Sequence, residues 1–165
     1  MKSRYQGTRN GGVAASDRGA DYRAGDAPLT DGEFLGALEA CTLLEAQFDH
    51  AAHVRAGSLY LRQQPFPQAT AAMCTAVRNY ARALGKPERY HETITIGYMS
   101  LIHAQLWRQR DGASWESFRA GNPQLFRRDA LLACYPQAIL ESHEARARFV
   151  LMPLRPEPRP VNCGA

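Results

Sequence analysis

Lysine is nearly absent from this chain: of 20 Lys and Arg residues only Lys2 and Lys86 are lysine, and no function follows from that bias. The four cysteines, Cys41, Cys74, Cys134 and Cys163, form no CxxC pair. The first three sit in apolar, helix-like stretches where cysteine acts as a small buried hydrophobe, so neither a disulfide framework nor a cysteine nucleophile is expected. No run approaches the ~18 apolar residues of a membrane span, and the N-terminus has no apolar signal core. The cytoplasm is the expected location. Sustained period-two alternation is also missing, which removes half-buried strands.

What is present fits one folded unit. The 165 residues fall within the ~100–200 usual for a single domain. At 45% hydrophobic and 22% charged, the composition is that of an ordinary globular protein. The formal charge is +4. Lys2, Arg4, Arg9, Arg18 and Arg23 against Asp17, Asp21 and Asp26 place part of that excess on the first 28 residues. The remaining arginines are scattered and interrupted by acids, without the clustered basic face that nucleic-acid binding needs.

Residues 1–28 hold five glycines among polar residues and too few large apolar groups to offset their ordering entropy, so they read as a flexible leader. Pro153, Pro156, Pro158 and Pro160 exclude helix and suggest an extended tail over 153–165. Between them, 29–152 reads as an all-α domain, a compact bundle of about five to six helices. A first helix capped by Thr30 or Asp31 runs to about Ala46. A second, capped by Asp49, stops at Gln64-Pro65, and a third spans Phe66 to Leu84 before Gly85. The fourth is expected from near Tyr90 to Arg110, with Asp111-Gly112 as its exit. Shorter pieces follow Ser114, surround Leu125 to Leu132, and follow Ser142 to about Val150. Trp107 and Trp115 are expected to fill the bundle.

The chemistry-bearing candidates are histidines. His50 and His53, at i and i+3, share one helix face with Val54, Gly57 and Leu61, and Gly57 allows another helix or a substrate to approach the backbone. His91 and Glu92 lie at the start of the fourth helix, where a carboxylate is favoured and backbone N–H groups are free. Adjacent helical residues diverge by about 100°, so both reach one centre only from an irregular first turn; otherwise Glu92 shares a face with His103.

Joined together, His50, His53 and His91, with Glu92 as fourth ligand or nearby base, form an expected divalent metal site for Zn, Fe, Mn or Ni. Such a site would serve a hydrolase or lyase through activated water, or an iron oxidoreductase. Against it, HxxH alone is common, and HExxH does not occur. Two other readings use the same residues. In one, His91 or His53 is a metal-free general base oriented by Glu92; in the other, the histidines are packed residues bonded to backbone. Arg55 is a candidate for holding an anionic substrate at the bundle's mouth.

Three segments, FDHAAHVRAGSLYLR (48–62), ALGKPERYHETITIGYM (83–99) and SHEARARFVLMPL (142–154), resemble a family of small bacterial proteins of uncharacterised function. Its marks are F-x-H-x-x-H-x-R, Y-H-E-T-x-T and E-A-R-x-R-F-V. The resemblance covers about 48–154 and selects His50, His53, Arg55, Tyr90, His91, Glu92, Thr93 and Thr95. It implies that these elements belong together without naming a reaction. The expected function is a small-molecule enzyme with a His/Glu pocket, catalytic residues Glu92, His91 and Arg55, and no nucleic-acid or membrane partner. The main rival is a ligand- or metal-binding accessory protein that does not turn its ligand over. The oligomeric state is open, with a homodimer among the alternatives.

Overall fold

A computed structural model describes residues 29–109 and 114–152. The expected leader, the Pro-rich tail and the Asp111-Gly112 exit lie outside them. The described chain is all-helical. Helix α1 (Asp31–Glu39) opens on a reciprocal cap, in which Thr30 accepts from the Glu33 N–H while the Glu33 carboxylate accepts from Thr30. It ends well before Ala46, because Cys41 takes a left-handed turn (φ 57°) and the chain resumes as a single 3-10 turn, Glu45–Gln47.

Helix α2 (His50–Gln63) is capped by Asp49, whose carboxylate accepts from the Ala52 N–H at 2.8 Å. It stops one residue before Gln64-Pro65, since the position preceding proline is pushed out of the helical region. Helix α3 (Phe66–Ala83) closes at Gly85, which takes the positive φ (69°) of a glycine C-terminal turn. Helix α4 (Glu92–Arg108) starts two residues later than expected, because His91 stands outside it as the N-cap.

Beyond α4 the chain is built of short pieces: α5 (Trp115–Gly121), α6 (Gln137–Leu140) and α7 (His143–Ala147). The helix expected around Leu125 to Leu132 is instead two 3-10 turns, Pro123–Phe126 and Ala130–Ala133. Ser114 and Ser142 cap α5 and α7 as expected.

Helix α2 lies at the centre of the bundle, between two apolar clusters. One side carries Ala56, Leu59 and Tyr60, packed with Phe34, Leu38, Met73 and Tyr80 from α1 and α3. The other carries Val54 against Ile102, Phe118 and Leu125. Gly57 sits where α4 presses closest: a Cβ there would lie 2.9 Å from Ile102 Cδ1 and 3.1 Å from Met99 Sδ. The expected close approach at Gly57 is thus made by a helix. Trp107, expected inside, is 83% exposed. No helix among the described residues is long and apolar enough to cross a membrane.

Candidate functional site

The first turn of α2 and the middle of α4 face each other across a cavity of about 360 Å³. Phe48, Val54, Met73, Ile94, Met99 and Ile102 give it apolar walls, and His50, His53, Thr95 and Tyr98 supply polar atoms. Asp49 and Arg128, both exposed, lie at its rim. A mainly apolar hollow with a few placed polar groups is the usual form of a small-molecule site.

Hydrogen bonding fixes the tautomer of both imidazoles. His53 Nδ1 lies 2.8 Å from the Asp49 carbonyl oxygen, and a carbonyl only accepts, so Nδ1 carries the proton. Nε2 is then the lone-pair nitrogen, and it has no protein partner among the described residues. The ring is held flat against Phe48, centroids 3.9 Å apart. His50 is the mirror case: Nε2 donates to the Leu125 carbonyl at 3.0 Å, leaving Nδ1 as the lone pair. Its ring meets Tyr98 edge-on at 5.0 Å. The hydroxyl protons are committed too. Thr95 Oγ1 donates to the His91 carbonyl at 2.9 Å, and the Tyr98 hydroxyl to the Arg127 carbonyl at 2.9 Å.

Burial pushes the His53 pKa below the ordinary 6.5, the Asp49 carbonyl works against that shift, and neighbouring His50 adds to it. His53 is therefore neutral at pH 7, with its free nitrogen able to accept a proton.

His91 and Glu92 are elsewhere. His91, 6% exposed, accepts the Ile94 N–H on Nδ1 at 3.2 Å and donates from Nε2 to the Leu140 carbonyl at 2.8 Å. Both ring nitrogens are engaged, and burial lowers its pKa as well. The Glu92 carboxylate accepts from Arg78 at 2.7 Å and from the Tyr90 hydroxyl at 2.6 Å. Thr93, fully buried, donates to the Arg148 carbonyl and accepts from the Val150 N–H, both at 2.9 Å. Arg146 reaches the Glu88 carbonyl at 2.7 Å. The Y-H-E-T stretch and the E-A-R-x-R-F-V stretch are thus two halves of a clasp that fastens α6, α7 and residues 148–150 to the start of α4.

The expected four-ligand centre is not assembled: His50 and His53 face the cavity, while His91 and Glu92 are paired within the clasp. Among the described residues no group of three or more His, Cys, Asp and Glu side chains could hold a metal ion. Arg55 is committed as well, to Asp31 Oδ1 at 2.6 Å and the Leu29 carbonyl at 2.9 Å, with its guanidinium over the Phe34 ring. It lines a separate depression with Trp115 and Arg119. His103 packs beside Phe66 and does not join Glu92. Sequence reasoning missed Arg128, which sits in an Arg-Arg-Asp run with no signal to separate it from ordinary surface charge.

No protein-family model, no curated protein and no solved structure matches this chain.

The two lowered histidines set an acid limb in stability. A group whose folded pKa is depressed takes up protons first in the unfolded chain. The stability that neutral His53 and His91 contribute is present in full above pH 6.5 and erodes as the pH falls from there toward their folded values. Urea midpoints measured from pH 8 to pH 5 are expected to fall below pH 6.5. The fall should shrink in His91→Asn, which keeps a capping acceptor but does not titrate. An unchanged profile in that variant would count against this origin.

Proposed function

We propose that this chain is a cytoplasmic protein that binds a small molecule in the His50–His53 cavity and uses neutral His53 as a general base toward it. One observation carries the reading: the ring's N–H is anchored on the Asp49 carbonyl, and the opposite nitrogen is left without a partner on a ring that lines the cavity. An orienting acceptor behind a neutral imidazole is what a general base requires; here a main-chain carbonyl takes the place of a carboxylate. The apolar walls around the ring favour its neutral, proton-accepting form. Glu92 and His91 enter this reading as structural residues that hold the start of α4, and with it Thr95 and Tyr98, in place.

A divalent metal is the competing reading, favoured by two imidazoles one helical turn apart at one cavity. Such an ion would take His50 and His53 as its protein ligands and complete its shell from water or substrate.

A small-molecule screen by NMR on ¹⁵N-histidine-labelled protein at pH 7.5 tests both. Bound compounds are expected to move the His50 and His53 ring signals. His53→Leu, which keeps an apolar filling but no acceptor, is expected to weaken them about tenfold. For binders with an acidic C–H group, deuterium exchange at that carbon should slow at least ~10²-fold in the variant. Binders indifferent to His53→Leu would contradict the proposal. Stoichiometric metal in untagged wild-type protein, lost in His53→Leu, would replace it with the metal reading.

A further inference from the structure

The donors and acceptors left over at the cavity define the chemistry of its occupant, an inference that rests on the cavity reading above. Every proton on the inner polar groups is already given to a main-chain carbonyl: His50 Nε2–H to Leu125, His53 Nδ1–H to Asp49, the Thr95 hydroxyl to His91 and the Tyr98 hydroxyl to Arg127. The imidazoles keep only lone pairs. An anion placed against them would face electron density, whereas a hydroxyl or N–H would find two acceptors.

The rim is the opposite. Arg128 is the one Lys or Arg lining the cavity, and among the described residues its guanidinium has no ion-pair or hydrogen-bond partner. Its neighbours are served: Arg127 pairs with Asp129, at 2.7 Å. Asp49, the other rim charge, is bound to the Ala52 N–H at the start of α2, where the helix dipole offsets it. Of the two rim charges, the one without a protein partner among the described residues is thus the positive one. A single guanidinium, with no second unpaired cation among the described residues lining the cavity, matches the planar monoanion of a carboxylate better than a phosphate dianion.

We propose that the ligand is a small apolar carboxylate carrying a hydroxyl or N–H group: the carboxylate on Arg128, the apolar body against Met73, Met99 and Ile102, and the donor on the lone pairs of His50 and His53. With its carboxylate held at the rim, such a molecule turns its proton-bearing group toward the inner imidazoles, so the groups that hold it also present that group to His53.

The test titrates labelled protein with a panel of arylalkanoates bearing one to three methylenes, with and without a para-hydroxyl, alongside the methyl esters of the same acids. The hydroxylated acids are expected to move the His53 ring signals and to bind about tenfold tighter than their esters. Arg128→Gln should abolish that difference while leaving ester affinity within about twofold, and loss of the para-hydroxyl should weaken the acids. Equal affinity for acids and esters, or a preference that survives Arg128→Gln, overturns the carboxylate assignment; shifts at His53 under those conditions keep the cavity reading intact. If no member of the panel moves the His53 signals, the carboxylate assignment falls. If the broader screen is silent at His53 as well, the cavity reading falls with it.

Discussion

His91→Ala is expected to lower stability by about 2 kcal/mol, and Thr93→Val by about 1–2 kcal/mol, although neither residue touches the cavity. For His91 the loss has two parts. An N-cap acceptor contributes ~1 kcal/mol to its helix, and the half-buried Leu140 carbonyl left without its donor costs about as much again. For Thr93 the isostere keeps the volume and leaves two main-chain groups of a partly buried segment, the Arg148 carbonyl and the Val150 N–H, without their side-chain partner. His91→Asn should recover the capping part alone. The double variant should cost less than the sum of the singles, because both release the same segment from α4. Chemical denaturation of the four variants measures this. Full additivity, or changes below 0.5 kcal/mol, would show that the two motifs do not act as one clasp.

Phe118→Ala is expected to have the largest effect, a loss of about 3–5 kcal/mol, since this fully buried ring closes the cluster with Val54, Ile102 and Leu125. The consequence reaches the site. Leu125 supplies both an apolar side chain to that cluster and the carbonyl that holds His50, so loosening the Pro123–Phe126 turn frees the His50 ring. The ¹⁵N signals of His50 should then show both tautomers while those of His53, anchored on its own helix's cap residue, stay as in wild type. Equal perturbation of both rings would mean that they are not held independently.

The helical core was legible in the sequence where local chemistry is decisive: Thr30, Asp49, Ser114 and Ser142 cap where their side chains predict, and Pro65 and Gly85 end helices for backbone reasons. Spacing on α2 brought His50 and His53 to one face. What the sequence did not reveal depends on partners distant along the chain. His91 is an N-cap, a task usually met by Ser, Thr, Asp or Asn, and its neutral ring fills it only because Leu140, 49 residues away, fixes the tautomer. Glu92 looked available until Arg78 was placed beside it. The Leu125–Leu132 stretch has helical spacing but folds as 3-10 turns around Asn122, a buried side chain that donates to the Phe118 carbonyl. Arg128 becomes distinct from Arg127 only once the cavity exists.

The central claim is that His53 presents an unprotonated Nε2 to the cavity. Long-range ¹H–¹⁵N NMR of the imidazoles reads this directly. At pH 7.5 His53 should carry its proton on Nδ1 alone and titrate below 6.5, and a bound ligand should shift its Nε2 resonance. A ring protonated on Nε2, or one that titrates above 6.5, would contradict the account.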